Sequence, residues 1–295
     1  MKILVVGANG QLGQELKEVL KTGKAEIGEI DSSYKNAEIA YVDIDVLDIT
    51  DKQKVDEFFN TSYDIVINCS AYTNVKAAET DYDNAYKVNA LGVRNLALAC
   101  KKMGAKLIHI STDYVFDGEN QVPYTESDAP NPKTVYGKTK LAGELFALSF
   151  CKKTFIIRTS WLYGKYGKNF VYTMLNLGAI NDCVNVVEDQ IGTPTNANDL
   201  AFHILKIALT EEYGIYHVSG KGECSWKDFA ETIMNLAGLN CKVKGILTED
   251  YIDKVERPKY SVLDHSMLRV TVGDEMRDWK SAIKSFIGGL QWKNI

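Results

Sequence analysis

The chain opens on a continuous apolar run over residues 3–6, rich in β-branched side chains and broken at Gly7. Such a run, bounded by a turn signal, predicts a strand buried on both faces. Leu12, Leu16, Val19 and Leu20 then recur at helical spacing, so strand, glycine loop and helix follow one another as at the start of a βαβ unit. The alternation continues. Strands are predicted over 25–30, 41–45, 64–69, 106–110 and 154–158, and helices over 52–60, 83–103 and 136–150. This rhythm predicts an α/β fold, a Rossmann-type doubly wound parallel sheet covered by helices on both faces. Beyond residue 160 it loosens: helices are expected over 169–178, 198–209 and 226–237 and a strand over 216–219, while 242–264 shows little periodicity. Residues 1–160 are read as the Rossmann domain and 161–295 as a smaller C-terminal region, partly interleaved with the first and suited to holding a substrate.

Composition narrows the function. A 295-residue chain with 45% hydrophobic and 25% charged residues has the profile of a soluble globular protein. A net charge of −5 argues against a nucleic-acid partner, which calls for a basic surface. Cys69, Cys100, Cys151, Cys183, Cys224 and Cys241 form no CxxC pair, and His109, His203, His217 and His265 show no metal-site spacing. Free thiols in a reducing cytoplasm and no bound metal are expected. No apolar run reaches the roughly 20 residues of a membrane span, and Gly7 interrupts the first run too early for a signal peptide. No membrane association and a cytoplasmic location are the expectation.

Gly7, Gly10 and Gly13 form a GxxGxxG loop between the first strand and the helix opening near Gln11. Glycine lets backbone N–H groups approach a pyrophosphate, and the helix turns its positive end toward it. Asp31, 18 positions after Gly13, closes the expected second strand, where an acid accepts hydrogen bonds from an adenosine ribose and repels a 2′-phosphate. That favours NADH over NADPH, although Ser32, Ser33 and Lys35 stand close enough to hold a phosphate. Asp48-Ile49 follows the third strand, where adenine would rest; a helix cap explains the same pair.

Tyr136 and Lys140 form YxxxK, which puts both side chains on one side of a helix. Reducing a carbonyl by hydride transfer requires a proton donor, and tyrosine serves only when a neighbouring ammonium stabilises its phenolate. YxxxK is common by chance; its company gives it weight. Ser111-Thr112-Asp113-Tyr114 lies at the carboxyl end of the strand 106–110, where α/β sheets bind ligands, and Thr112 can hydrogen-bond a substrate carbonyl beside Tyr136. The small residues after the strand 64–69 would let a cofactor lie against the strand end; close packing alone explains them too.

These motifs, with Asn68-Cys69-Ser70-Ala71-Tyr72-Thr73, Arg158-Thr159-Ser160-Trp161-Leu162-Tyr163-Gly164, Asp189-Gln190-Ile191-Gly192-Thr193-Pro194-Thr195 and the Arg257-Pro258, Ser261, Leu263-Asp264 and Trp279 pattern, resemble the dTDP-4-dehydrorhamnose reductase family of extended short-chain dehydrogenases/reductases over essentially the whole chain. The resemblance implies reduction of the C4 keto group of dTDP-4-dehydro-6-deoxy-L-mannose to dTDP-L-rhamnose with NADH or NADPH, serving polysaccharide biosynthesis. It implies catalytic roles for Tyr136, Lys140 and Thr112, and sugar-nucleotide contacts from Thr112, Asp113 and Trp161. Cofactor contacts would come from Gly7, Asn9, Gly10, Gln11, Leu12, Gly13, Asp31, Asp48, Ile49, Ser70, Ala71, Tyr72 and Ile110, together with Tyr136 and Lys140. Some members are Mg²⁺-linked homodimers through a glutamate matched by Glu15; a solvated helix glutamate is the simpler reading, and no metal site is assigned. Cys69-Ser70 and Asn74 depart from the usual pattern and leave the exact sugar open. Three rivals remain. A sugar-nucleotide 4,6-dehydratase or an epimerase is one; a dehydratase would need an acid where Tyr114 follows Asp113. A reductase of another nucleotide-linked ketosugar is the second, and a non-catalytic regulatory subunit of the methionine adenosyltransferase type the third.

Overall fold

Six short, mostly apolar segments line up in parallel: β1 (Lys2–Val6), β2 (Glu38–Val42), β3 (Ile65–Asn68), β4 (Lys106–Thr112), β5 (Thr154–Thr159) and β6 (Gly214–His217). The structure, a computed structural model, describes residues 1–252 and 255–290. The order across the sheet is β2-β1-β3-β4-β5-β6, with every pairing parallel. The direction of winding reverses between β1 and β3, which opens a crevice beyond their carboxyl ends.

Side chains alternate across the pleat, so the sheet feeds two cores. Ile3 and Val5 join Ile67, Ile108 and Ile157 on one face, covered by Leu16 and Val19 of α1 (Gln11–Thr22). Leu4 and Val6 join Val66, Leu107 and Ile156 on the other. There α2 (Lys52–Phe58), α3 (Val93–Met103) and α4 (Val135–Phe150) pack through Val55, Leu96 and Ala147. A Val, Leu or Ile side chain buried there contributes about 1.5–3 kcal/mol, more than the roughly 0.7 kcal/mol that separates ordinary residues in helix propensity. A third core lies under the later chain. Here α5 (Phe170–Ile180) and α7 (Trp226–Ala237) pack with α8 (Trp279–Gly289) around Tyr163, Phe229, Trp279 and Phe286. Beside it Cys183–Val187 pairs in parallel with Lys242–Ile246, a strand in a stretch without visible periodicity.

Most of the expected strands and helices form, with shifted bounds. The strand expected over 25–30 is a hairpin, Lys24–Ala25 against Gly28–Glu29, outside the main sheet. Asn198 Oδ1 accepts from the hairpin's Glu26 N at 2.7 Å, and the Phe202 ring lies against Gly28. Both anchors belong to α6 (Ala197–Ala208), which packs on α1. The edge position falls instead to β2, whose five residues pair in register with all five of β1. The expected helix over 83–103 is Tyr82–Tyr86, a π-helical stretch Lys87–Gly92 and α3. β6, expected as a strand of the later region, completes the first sheet beside β5. Beyond its end, Ser219 Oγ lies 2.8 Å from His265 Nε2, and His265 Nδ1 lies 3.2 Å from Asp274. Ser219 is wholly inaccessible, so this serine–histidine–aspartate chain ties segments together and offers no nucleophile. Among the described residues no helix is long and apolar enough to cross a membrane.

Candidate active site

The glycine loop is built as close packing demands. Gly7 has φ +74°, and a Cβ there would lie 2.6 Å from Ser70 N; one on Gly13 would lie 2.4 Å from Gly7 O. The helix that follows begins at Gly10 with no side-chain cap and no acid in its first turn, so its leading N–H groups are turned to the crevice uncovered. This cradle fits a pyrophosphate. The Leu12 side chain is in the core. Gln11 donates to Leu162 O and accepts from Asn169 Nδ2, which lays the loop after β5 over the helix start. Asn9 N donates to Asp43 Oδ2 at 2.8 Å, and Asn9 O accepts from Gln14 Nε2.

That contact moves the expected ribose acid. Asp31 caps the 3₁₀ turn Ser32–Asn36, accepting from Ser33 N at 2.8 Å. Ile30 N donates to Gly23 O, just past the end of α1. Asp31 also lines a cleft with Lys206 and Leu209 at the end of α6, where Lys106 Nζ, at the start of β4, bonds Ala208 O and Thr210 O. Asp31 therefore sits at the amino ends of the strands, opposite the glycine loop, and cannot serve a cofactor bound there. The acid at the carboxyl end of the strand next to β1 is Asp43, which the sequence reading missed because it assigned the strand before β2. The visible signal was the run 38–42, followed directly by an acid.

Of the other expected cofactor residues, Ser70 lies against Gly7 of the glycine loop, while the Ile49 side chain is packed in a core. Ser70 donates to Asn68 Oδ1 through both N (3.1 Å) and Oγ (2.5 Å), and half-buried Ala71 follows it. Asn89, wholly buried in the π-helical stretch, accepts from Tyr72 N at 2.8 Å and donates to Tyr72 O and Thr139 Oγ1. It thus clamps the 70–72 loop to α4, a joint the sequence reading did not find. Tyr72 OH donates to Asp81. Asp48 holds Thr50 through N and Oγ1, and Ile49 is packed against Gly92 with its carbonyl accepting from Asn95 Nδ2.

Tyr136 and Lys140 stand one turn apart on α4, whose start Thr134 caps through Gly137 N. Gly137 is required because a Cβ would lie 2.1 Å from Tyr114 O. Burial pushes the Tyr136 phenol up to about 12, opposed by a hydrogen bond with Thr112. Burial brings Lys140 down to about 8, against the pull of Glu144 and Cys69. Lys140 Nζ donates to Ile110 O at 2.6 Å and lies 3.4 Å from His109 Nε2. Thr112 ends β4; its hydroxyl donates to Asp113 Oδ1 at 2.9 Å. Asp113 Oδ2 is buried without a partner at bonding geometry, although the Ser261 hydroxyl lies beside it, and burial raises this carboxyl to about 6. An unmatched buried acceptor next to Thr112 and Tyr136 is suited to a substrate hydroxyl.

Beneath them Arg158 and Glu144 form a sealed ion pair (2.7 Å), each 1% exposed, with Ser111 donating to Glu144 and His217 at 3.5 Å from Arg158. Trp161 has φ +46°, the left-handed region that a bulky residue occupies only under tertiary constraint. Its ring stacks on Trp226 with centroids 3.5 Å apart, and it lies so close to Gly192 that a Cβ there would come within 2.5 Å. Glu15 is not the solvated helix residue expected. It is 4% exposed and accepts from Lys165 N and Asn198 Nδ2. No three-residue cluster of metal-ligand type occurs among the described residues.

Comparison with known proteins places this geometry. The family described as RmlD substrate binding domain matches residues 1–291. A Bacillus subtilis spore coat polysaccharide biosynthesis protein, SpsK, is 41% identical, over 97% of this chain and 96% of that protein. Among solved structures, a dTDP-4-dehydrorhamnose reductase from Clostridium acetobutylicum superposes with TM-score 0.93 at 48% identity, over 99% of this chain and 100% of that one. A Bacillus anthracis dTDP-4-dehydrorhamnose reductase in complex with NADP gives TM-score 0.91 at 42% identity, over 98% and 99%.

Proposed function

The chain belongs to the RmlD substrate binding domain family, and on that premise we propose that it is an NAD(P)H-dependent oxidoreductase, a dTDP-4-dehydrorhamnose reductase that converts dTDP-4-dehydro-6-deoxy-L-mannose to dTDP-L-rhamnose. The reading is carried by one observation: Tyr136, Thr112 and the unmatched Asp113 oxygen converge at the end of β4, at the same edge of the sheet as an uncapped glycine cradle.

A bound nicotinamide supplies the hydride. The chain's own groups do the rest. Tyr136 gives its phenolic proton to the oxygen developing on the reduced carbon, and Thr112 holds that oxygen in line. Lys140, as an ammonium, stabilises the phenolate left behind and binds ribose hydroxyls. Asp113 accepts a sugar hydroxyl, and Trp161 supplies a flat wall for the sugar nucleotide. The loop at Ser70, Ala71 and Tyr72 would line the cofactor, and Asp48 and Ile49 would hold its adenine end. Asp43, in place of Asp31, takes the adenosine ribose and favours NADH. Residues 1–160 carry the cofactor and the reacting groups, and the later chain adds Trp161 to the substrate site.

The test is a coupled assay in which dTDP-glucose passes through its dehydratase and 3,5-epimerase before this protein is added. NADH or NADPH oxidation with dTDP-rhamnose as product is the expected result. No oxidation with either cofactor, from protein that binds them, would remove this substrate from the reading.

A further inference from the structure

The floor beneath Lys140 contains a hydrogen-bond chain that the proposed reaction leaves unused. Asn68 at the end of β3 and His109 in β4 are both wholly buried. Ser70 N donates to Asn68 Oδ1. A backbone amide can only donate, so the orientation of the Asn68 amide is fixed, with Nδ2 facing His109 Nδ1 at 3.2 Å. Nδ2 is also only a donor, which makes Nδ1 the acceptor. Burial, with Lys140 beside it, holds the His109 ring well below the ordinary histidine range and therefore neutral. Its single ring proton then sits on Nε2, pointing at Lys140 Nζ 3.4 Å away.

An ammonium at that position would set donor against donor. A neutral amine has a lone pair for the Nε2 proton and still donates to Ile110 O at 2.6 Å. The chain is consistent in one direction only: Ser70 to Asn68, Asn68 to His109, His109 to Lys140, Lys140 to the Ile110 carbonyl. The other groups facing Lys140 do not reverse this. Glu144, on the same helix, is matched by Arg158 and Ser111. The thiol of Cys69, beyond β3, is pushed up to about 12 and the phenol of Tyr136 likewise, so both are uncharged at neutral pH.

We propose that His109 is a positioning residue that docks Lys140 on β4 in the form favouring a neutral amine, and that Lys140 becomes an ammonium on leaving His109 for the acceptors of a bound cofactor's ribose. Cofactor binding is then linked to proton uptake at Lys140 above about pH 8, where the free amine predominates, and in that range cofactor binding completes the charge that stabilises the Tyr136 phenolate. The second half of this statement rests on the nicotinamide reading; the histidine tautomer does not.

The experiment has two arms. In the first, ¹⁵N resonances of the cofactor-free protein, with His109 identified by their loss in His109→Gln, report which ring nitrogen carries the proton. Nε2–H is expected, and Nδ1–H or an imidazolium would overturn the proposal. In the second, calorimetry of NADH binding at pH 8.5 in two buffers of different ionisation enthalpy counts protons. With Lys140 near 8 in the free protein, an uptake of about three quarters of a proton is expected. Asn68→Asp, whose carboxylate accepts from Nδ1–H and turns a bare Nε2 to the lysine, should bind NADH with almost none. Wild-type uptake near zero, or the same uptake in both proteins, would overturn the linkage. A protein that binds neither NADH nor NADPH would instead overturn the reductase reading, and the ring resonances would still decide the tautomer.

Discussion

Tyr136 is a poor acid in the free protein because burial disfavours its phenolate more than the Thr112 hydrogen bond favours it. Replacing it with phenylalanine removes the proton and keeps the ring. Tyr136→Phe should cut turnover on the ketosugar by about 10²-fold or more while NADH affinity, read by fluorescence titration, stays within a few-fold. Turnover within tenfold of the parent would take the proton-donor role from Tyr136. At the ribose, Asp43→Asn should move the NADH/NADPH ratio of kcat/KM toward NADPH by about tenfold, an effect of about 1.4 kcal/mol, whereas Asp31→Ala should leave the ratio where it was. The reverse pattern would return the role to Asp31. This pair shows how far a sequence reading reaches. YxxxK and the Thr112-Asp113 pair were legible because their spacing is local to one helix and one strand end. The ribose acid was not, because counting from Gly13 cannot reveal that residues 24–36 are folded beneath the sheet by contacts with α6, 160 or more positions later.

At the level of elements, the α4 helix is held by what approaches it. Gly143 faces the carbonyl of Asn89, and a Cβ there would lie 2.1 Å from that oxygen. The π-helical stretch Lys87–Gly92 brings the Asn89 backbone toward α4, while its side chain grips the 70–72 loop. Gly143→Ala must part the two. The expected result is a loss of about 1–3 kcal/mol in urea unfolding, together with weaker cofactor binding, because the loop moves with Asn89. Unchanged stability and affinity would show that α4 can shift without consequence. The apolar period of a helix was readable over 83–103, but the widened turn inside it was not: a π stretch answers to the glycine opposite it, 54 positions away in the chain. For the same reason the strand Lys242–Ile246 escaped notice. It pairs with Cys183–Val187 but is largely uncovered, so it has no need of an apolar run.

Across the whole molecule, three buried histidines govern the response to acid. Burial holds His203 at about 4, His217 at about 3 and His109 well below its ordinary value. Below pH 6.5 the unfolded chain takes up protons at these rings and the folded chain does not. Stability therefore falls as the pH drops from 6.5 toward 4, by roughly 1.4 kcal/mol per unit for each ring. Asp113 works the other way: held up to about 6, it is protonated in the folded state before the unfolded carboxyl is, and burial raises the carboxyls of Glu15 and Asp199 as well. At pH 5.5 the histidines outweigh Asp113, so the urea midpoint should be clearly lower than at pH 7.5. An equal or higher midpoint would mean that the rings are charged in the fold.

The position of β6 bears on how the chain is made. During synthesis β5 emerges more than fifty residues before its neighbour (Thr154 against Gly214), and α6, which covers α1, also comes late. Until then a nascent chain carries an open strand edge flanked by Phe155, Ile156 and Ile157, and α1 lacks the helix that packs on it. Unpaired apolar edges of this kind invite association between chains. A ribosome that stalls between the two strands would release a sticky fragment, and a gene cut at residue 160 should yield aggregate in place of a working cofactor module.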